Sequence, residues 1–189
     1  MYRNTFKVFF DFIFSFFILL CLIPIFLLAI ILMKIYDPGP IIFTQKRVGK
    51  NEVLFDIYKL RTMVINADKL GPVLTQDHDP RITKLGKFLR RTSIDELPQF
   101  FNVIKGDMSI IGPRPEVPSI VENYTKEQKK VFEVKPGLTG WAQVHGRDEL
   151  LIETKLDYDI DYINNLGVCL DLKIFFLTFP TLLSSRGTN

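Results

Sequence analysis

The feature that most constrains this chain is an uncharged apolar run of 22 residues, from Phe12 to Met33. About 20 apolar residues are enough for a helix to cross the hydrocarbon core of a bilayer. The run is too long for a signal peptide, and no small-residue cleavage site follows it. The sequence therefore predicts that this segment enters a membrane, with an ordinary single-span anchor as the simplest form.

Three details of the segment favour a different topology, a helix that enters and leaves the membrane on the cytoplasmic face. Pro24 lies in the middle of the run, where proline removes a backbone hydrogen bond and bends the helix. Cations flank both ends, so the positive-inside rule gives no clear orientation. Lys7 and Asp11 are one turn apart and can pair, as suits a helix end among headgroups. We predict a re-entrant membrane helix over residues 1–34.

The remaining chain, about 150 residues, is long enough for one compact domain with its own core. Its patterns predict an α+β fold: a mainly helical cytosolic catalytic domain over residues 35–169 with a small β-hairpin. The predicted strands are Ile41–Thr44 and Leu54–Tyr58, and the predicted helices are Met63–Leu70, Thr83–Arg90, Leu97–Ile104, Ser119–Val131 and Glu149–Asn164.

The C-terminal segment, residues 170–189, contains an apolar stretch interrupted by Asp171, Lys173 and Pro180. It is too short and too interrupted to span a bilayer. An amphipathic helix at the membrane interface is one interpretation. A helix packed on the core is the other.

Composition excludes several classes of site. The only cysteines, Cys21 and Cys169, make neither a disulfide framework nor a metal cluster, which fits a reducing cytosol. Two histidines, His78 and His145, offer little for a Ser/His/Asp triad. The net charge of +3 suits an anionic lipid surface. Because no dense block of lysine and arginine is present, no nucleic-acid partner is expected.

Asp95 and Glu96 are the strongest candidates for chemistry. Proline belongs in the first turn of a helix, so Pro98 predicts that a helix begins near Leu97, with Asp95 near its N-cap. The helix N-terminus attracts anions and keeps Asp95 ionised, hence able to attack. A phosphate would be repelled by the two acids unless a divalent cation and arginines offset the charge. Alternatively, Asp95 only caps the helix.

Cations near this pair are candidates for binding phosphate. Lys59 and Arg61 share one face of a strand, where they clamp a diphosphate or form a solvated edge. Arg114 lies between two prolines, and arginine grips phosphate with two parallel hydrogen bonds. Arg147 ends a glycine-rich segment that starts at Lys135.

These segments together resemble the bacterial sugar transferase family, specifically its small monotopic phosphoglycosyl transferases. The ordered combination is far more specific than any single motif. The matching motifs, in chain order, are DPGP at 37–40, FTQKRVG at 43–49, YKLRTM at 58–63, LGKFLR at 85–90, DELPQ at 95–99, KGDMS at 105–109, GPRP at 112–115 and KPGLTGWAQ at 135–143.

The resemblance implies that a phosphosugar moves from a UDP-sugar to undecaprenyl (polyprenyl) phosphate, with release of UMP. It implies that Asp95 is the nucleophile and forms a covalent phosphosugar intermediate, that Glu96 assists, and that Mg²⁺ lies near the pair with Asp95 as its ligand. Arg90 and Arg114 would hold phosphate charge, with Lys59 and Arg61 as helpers. The family also has a re-entrant N-terminal helix.

The expected location is the bacterial inner membrane, with the catalytic domain on the cytoplasmic face. The partners implied are the UDP-sugar, the lipid phosphate and the membrane, while the oligomeric state, a homo-oligomer included, stays open. Two other functions fit the same residues. One is a membrane-anchored sugar-nucleotide hydrolase, and the other is a scaffold without catalysis.

Overall fold

The computed structural model describes residues 6–72, 75–76, 78–146 and 150–184, with side chains described to residue 182. Its elements combine helices with two small sheets, which confirms the α+β class. The helices are α1 (Lys7–Tyr36), α2 (Lys84–Arg91), α3 (Gln99–Lys105), α4 (Pro118–Val121), α5 (Trp141–His145), α6 (Ile152–Asn164) and α7 (Val168–Ser184). The strands are β1 (Ile42–Val48), β2 (Leu54–Leu60), β3 (Ser109–Ile111) and β4 (Gly137–Thr139).

The apolar N-terminal run forms one helix of 30 residues, α1, which contains Pro24. By its length and composition it is able to cross a membrane, with a mean hydropathy of 3.2. Its middle is mostly exposed, whereas its two ends carry the buried residues, among them Lys7, Asp11, Ala29 and Met33. A soluble domain would bury such a helix, so the exposed apolar surface is that of a membrane segment.

The predicted hairpin is confirmed and is longer than the sequence indicated. Strands β1 and β2 pair antiparallel from Ile42 opposite Leu60 to Val48 opposite Leu54. The turn between them includes Asn51 with a left-handed φ of 56°, a conformation that asparagine tolerates well. The second sheet is a short parallel pair, β3 with β4.

Two predicted helices are wrong. Residues 63–70 form only a short 3₁₀ turn, Ala67–Lys69, because Met63 instead pairs with Ile82 in an isolated β-bridge. The segment 119–131 is divided between α4 and a 3₁₀ helix, Gln128–Glu133. Thr125 and Gln128 exchange side-chain-to-backbone hydrogen bonds at the break, and such local bonds compete with helix formation.

The predicted helices at 83–90 and 149–164 correspond to α2 and to α6, although residue 149 lies outside the described part of the chain. Helix α2 packs very closely on the chain after β2. A Cβ atom on Gly86 would lie 2.0 Å from the carbonyl oxygen of Thr62, so only glycine fits there. This contact brings Arg90, in the last turn of α2, beside the end of β2.

The C-terminal stretch forms α7, and one side of it packs on the core. Ile174 is fully buried against Ile111 and Tyr162. Its other side leaves large apolar side chains exposed, including Phe176 and Leu172. The helix therefore joins the core through one face and presents an apolar surface on the other.

Candidate active site

A strained turn presents the two predicted acids. Ser93 has a left-handed φ of 55°, and a 3₁₀ turn, Ile94–Glu96, follows it. Helix α3 begins only at Gln99, with Pro98 as its N-cap residue. The expectation that Asp95 lies near the N-cap of a helix starting at Leu97 is therefore wrong. The turn before the helix, rather than the helix end, sets the direction of the carboxylate.

Asp95 is only 6% exposed and lies among charges of both signs. The pKa of Asp95 is raised to about 6, chiefly by burial and to a smaller extent by the neighbouring Glu96. The cations Lys59, Arg90 and Arg114 act in the opposite direction and lower this pKa. The carboxylate is thus ionised above about pH 6 yet poorly solvated, which favours nucleophilic attack.

Two of the predicted cations converge on Glu96. The Lys59 ammonium donates to Glu96 Oε1 at 2.7 Å, and Arg114 Nη2 donates to the same oxygen at 3.4 Å. Both ion pairs are only partly exposed. Glu96 therefore holds the two cations beside Asp95 and partly neutralises them. An incoming phosphate would meet cations already fixed in position.

Arg90 is held by threonine hydroxyls. Its Nε donates to Thr62 Oγ1 at 2.8 Å, and Nη1 donates to Thr75 Oγ1 at 3.3 Å. These two bonds fix the direction of the guanidinium group, and its positive charge lowers the pKa of Asp95. Arg90 thus lies close enough to Asp95 to act on a charge at that carboxylate.

Arg61 has different hydrogen-bond partners from Lys59, although both residues line the same cleft. Its guanidinium donates to Asp37 Oδ1 at 3.0 Å and to the carbonyl oxygen of Pro40 at 2.7 Å. These bonds tie the turn after α1 to the hairpin, whereas Lys59 pairs with Glu96. Binding of substrate by Arg61 stays a prediction. Arg147 lies outside the described residues.

The cleft around Asp95 has a volume of about 1120 Å³ and extends to α1 and α7. Its polar end includes Lys59, Arg90 and Arg114. Apolar side chains of α1 and α7 line another part of it, namely Phe14, Ile18, Leu22, Phe175, Phe179 and Leu182. Ligand pockets commonly have volumes of about 300–1,000 Å³, so this cleft has room for a large polar group beside an apolar one.

The described residues around Asp95 offer a metal ion mainly the carboxylates of Asp95 and Glu96 as ligands. Across residues 6–72, 75–76, 78–146 and 150–184, no three histidine, cysteine or acidic side chains come together as a metal cluster. Mg²⁺ does not require one, because it commonly binds one or two carboxylates together with phosphate oxygens and water. The adjacent carboxyl groups of Asp95 and Glu96 fit that pattern.

The cleft also contains polar residues that sequence reasoning did not assign. Gln143 and Asp159 lie deep in its lining, and Thr62 and Thr75 orient Arg90. Gln143 and Thr62 lie inside motifs that carry the family resemblance, and this position in the sequence indicates a role for them in the site. Asp159 lies in the middle of a helix with other acids, where no local pattern distinguishes it.

Comparison with known proteins supplies independent information. The model of a protein family described as "Bacterial sugar transferase" matches residues 2–185. An Aeromonas hydrophila protein named UDP-N-acetylgalactosamine-undecaprenyl-phosphate N-acetylgalactosaminephosphotransferase is 44% identical over 172 residues. That alignment covers 88% of this chain and 41% of the relative.

Two further relatives differ in length. EpsL of Bacillus subtilis, named an uncharacterized sugar transferase, is 42% identical over 178 residues, covering 94% of this chain and 87% of the relative. The Escherichia coli UDP-glucose:undecaprenyl-phosphate glucose-1-phosphate transferase is 43% identical over 174 residues, covering 85% of this chain and 36% of the relative. The chain thus spans less than half of the two relatives whose names state an activity.

Proposed function

The chain belongs to the bacterial sugar transferase family, and on this premise we propose that it is a phosphoglycosyl transferase. Its donor would be a UDP-sugar and its acceptor a polyprenyl phosphate such as undecaprenyl phosphate. Relatives carry names for this type of reaction with N-acetylgalactosamine, glucose and galactose. The observation that carries the proposal is a buried carboxylate, Asp95, surrounded by three cations in a cleft that reaches the apolar side chains of α1 and α7.

The reaction proceeds in two displacements at phosphorus. A carboxylate oxygen of Asp95 attacks the β-phosphorus of the UDP-sugar. The bond from that phosphorus to the bridging oxygen breaks, and UMP leaves with the electron pair. An oxygen of polyprenyl phosphate then attacks the phosphosugar on Asp95, so a diphosphate bond forms and the carboxylate is regenerated. One site serves both substrates in turn, as covalent catalysis allows.

The neighbouring residues have separate tasks in this mechanism. Arg90 and Arg114 bind the phosphate oxygens and stabilise the charge that develops on the departing UMP. Glu96 keeps Lys59 and Arg114 in place through the ion pairs at 2.7 and 3.4 Å. The site fits Mg²⁺ held by Asp95 with Glu96 close by, and the ion would neutralise the diphosphate when bound.

The lipid acceptor would approach along the helices. Apolar side chains of α1 and α7 line the same cleft as Asp95, and the aromatic rings of Phe14 and Phe175 meet edge to face at 5.5 Å. A polyprenyl chain would lie against these side chains while its phosphate reaches the cations. This arrangement supports work at a membrane surface, and a catalytic domain on the cytoplasmic face of the inner membrane is part of the proposal.

The contacts of α1 support the re-entrant topology. Near its start, Lys7 pairs with Asp171 of α7 at 2.7 Å. Near its end, Ala29 and Met33 pack with Leu60 and with Leu89 of α2. Because one domain holds both ends, the start of the helix would have to be on the same side of the bilayer as its end. The exposed apolar surface of α7 would lie at the same interface.

The decisive experiment replaces the nucleophile. We expect Asp95→Asn to reduce UMP release from UDP-sugars by ~10³-fold or more, because the amide cannot form the intermediate. Asp56→Asn, at an exposed carboxylate paired with Lys46, is the matched control and should keep activity. Radiolabelled donor should label Asp95 in the wild-type protein. Product formation without any adduct at Asp95 would refute the mechanism.

Dependence on the lipid distinguishes transfer from hydrolysis. UMP release beyond one turnover should require polyprenyl phosphate, since the intermediate waits for the acceptor. Sustained release without it would indicate a hydrolase. Removal of divalent cations by a chelator should stop transfer, and added Mg²⁺ should restore it. Full activity in excess chelator would exclude the metal.

A further inference from the structure

Two buried polar side chains in the cleft have atoms without a hydrogen-bond partner among the described residues. Gln143 of α5 is 8% exposed and Asp159 of α6 is 5% exposed. Within the part of the chain that the structure describes, neither amide atom of Gln143 makes a hydrogen bond, and neither does Asp159 Oδ1. Buried polar groups are nearly always hydrogen-bonded in proteins. The two side chains therefore offer donor and acceptor atoms to something that enters the cleft.

Both side chains are held in place by their surroundings. The backbone N–H of Ala142 donates to Asp159, which fixes that carboxyl against the start of α5. The Gln143 amide packs closely on the preceding turn, because a Cβ atom on Gly140 would lie 2.6 Å from Gln143 Oε1. A site whose polar groups are fixed before binding is typical of specific recognition.

The chemistry of this part of the cleft differs from that around Asp95. The hydroxyl of Tyr124 and the carboxyl of Glu116 also line it, and both interact with Asp159. Arg47 pairs with Glu116 at 3.5 Å and donates to the carbonyl oxygen of Pro115. Lys155 also lines this part of the cleft and acts on Asp159. Acids, an amide, a phenol and an ammonium group together are good partners for hydroxyl groups.

The position suits a group attached directly to the β-phosphate. Arg114 reaches Glu96, beside Asp95, and Glu116 follows two residues later at the other group of side chains. The short segment 114–116 thus joins the two parts of the cleft. In a UDP-sugar the sugar ring is bonded to the β-phosphate, so it lies next to the phosphorus that Asp95 attacks.

We propose that Gln143 and Asp159 form the sugar subsite, binding ring hydroxyl groups of the donor and setting which sugar is preferred. The inference rests on the proposed transferase function. A sugar ring presents several hydroxyl donors to the acceptors of Asp159 and Glu116. The uracil base, by contrast, is separated from the β-phosphate by the ribose and the α-phosphate, so it lies further from the phosphorus that Asp95 attacks.

The test compares Gln143→Met and Asp159→Asn with the wild-type protein in phosphosugar transfer. The donors are UDP-glucose, UDP-galactose and their N-acetylated counterparts. Each variant should raise KM for the preferred donor about tenfold or more, the effect of losing one or two hydrogen bonds. For two donors whose sugars differ at one hydroxyl group, the ratio of their kcat/KM values should fall toward one. Asp157→Asn, at an exposed position two residues from Asp159, is the matched control and should change neither.

UMP, which lacks the sugar, separates the alternatives. Its Kd should be unchanged in both variants, and a loss of UMP affinity equal to that of the donor would assign the residues to uracil instead. Unchanged KM and preference in stably folded variants would overturn the proposal. Should Gln143→Met lower the melting temperature, Gln143→Glu carries the comparison, since it keeps the side-chain length. A wild-type protein inactive with every UDP-sugar would refute the transferase function itself.

Discussion

At the scale of single residues, two opposed effects set the pKa of Asp95. Burial raises the pKa of its carboxyl to about 6, and three nearby cations limit the rise. Glu96 acts on this pKa in two ways. Its negative charge raises the pKa of Asp95, and its ion pairs hold Lys59 and Arg114, which lower it. A carboxylate that is ionised at neutral pH yet weakly solvated is what attack on a phosphate requires.

The pH dependence of kcat/KM follows from this pKa. Only the ionised carboxylate attacks, so we expect the rate to fall about tenfold per pH unit below about pH 6. Lys59 lowers the pKa of Asp95, so Lys59→Met should raise that pKa and move the fall to higher pH. Steady-state rates measured across pH 4.5–8.5 check both expectations.

Lys46, in the same hairpin, provides the matched control for Lys59→Met. Lys46 pairs with Asp56 on the exposed side of β1, away from the cleft lining. Lys46→Met should leave the pH profile unchanged. Equal shifts in the two variants, or a fall near pH 4 in the wild-type protein, would contradict the assignment.

At the scale of elements, a buried polar network fixes α1 to the catalytic domain. Lys7 donates to Asp171 Oδ2 at 2.7 Å, and Tyr162 donates to Asp171 Oδ1 at 2.8 Å. One turn further along α1, Asp11 accepts from the hydroxyl of Ser109 at 2.7 Å. The sequence suggested that Lys7 pairs with Asp11 within the helix. The structure instead gives each a partner on another element, which specifies how α1 docks.

Removal of one partner from this network should lower the stability of the folded protein. Lys7→Met leaves Asp171 buried without its cation, and we expect a loss of about 3 kcal/mol in the free energy of unfolding. Denaturation of the protein in nanodiscs measures it. Lys34→Met, at the exposed end of the same helix, should have little effect.

The double variant Lys7→Met with Asp171→Leu should recover much of the loss, because the buried carboxylate of Asp171 is removed together with its cation. A single variant as stable as the wild-type protein would show that the ion pair does not hold α1.

At the scale of the whole molecule, one domain binds both ends of an apolar helix and also contains a cleft lined by that helix. A soluble donor and a lipid acceptor would therefore meet at the same carboxylate. The proposed covalent intermediate would remove the need to bind them together, which matters because both are anionic.

The side of the membrane on which α1 begins tests whether both of its ends are held by one domain. In a variant without Cys21 and Cys169, we expect a cysteine introduced at position 3 to react with a membrane-impermeant thiol reagent only from the cytoplasmic side. A cysteine at Glu122 in the catalytic domain is the reference for that side. Labelling of position 3 from the periplasm alone would exclude the re-entrant helix.

Features that depend on near neighbours in the chain follow from the sequence alone. The apolar run predicts α1, alternation and a turn predict the hairpin, and the ordered motifs indicate the family. Asp95 and Glu96 were identified from residues adjacent in the chain. Each of these signals is local, because hydrophobic periodicity, turn chemistry and motifs extend over only a few residues.

Only the tertiary structure decided which distant residues meet. It placed Arg61 on Asp37, Lys7 on Asp171, and Asp159 beside the start of α5. It also replaced the expected helix at 63–70 by a bridge between Met63 and Ile82. Such pairings depend on packing between elements far apart in the chain, where burial and partner choice override local preference. No local pattern carries that information.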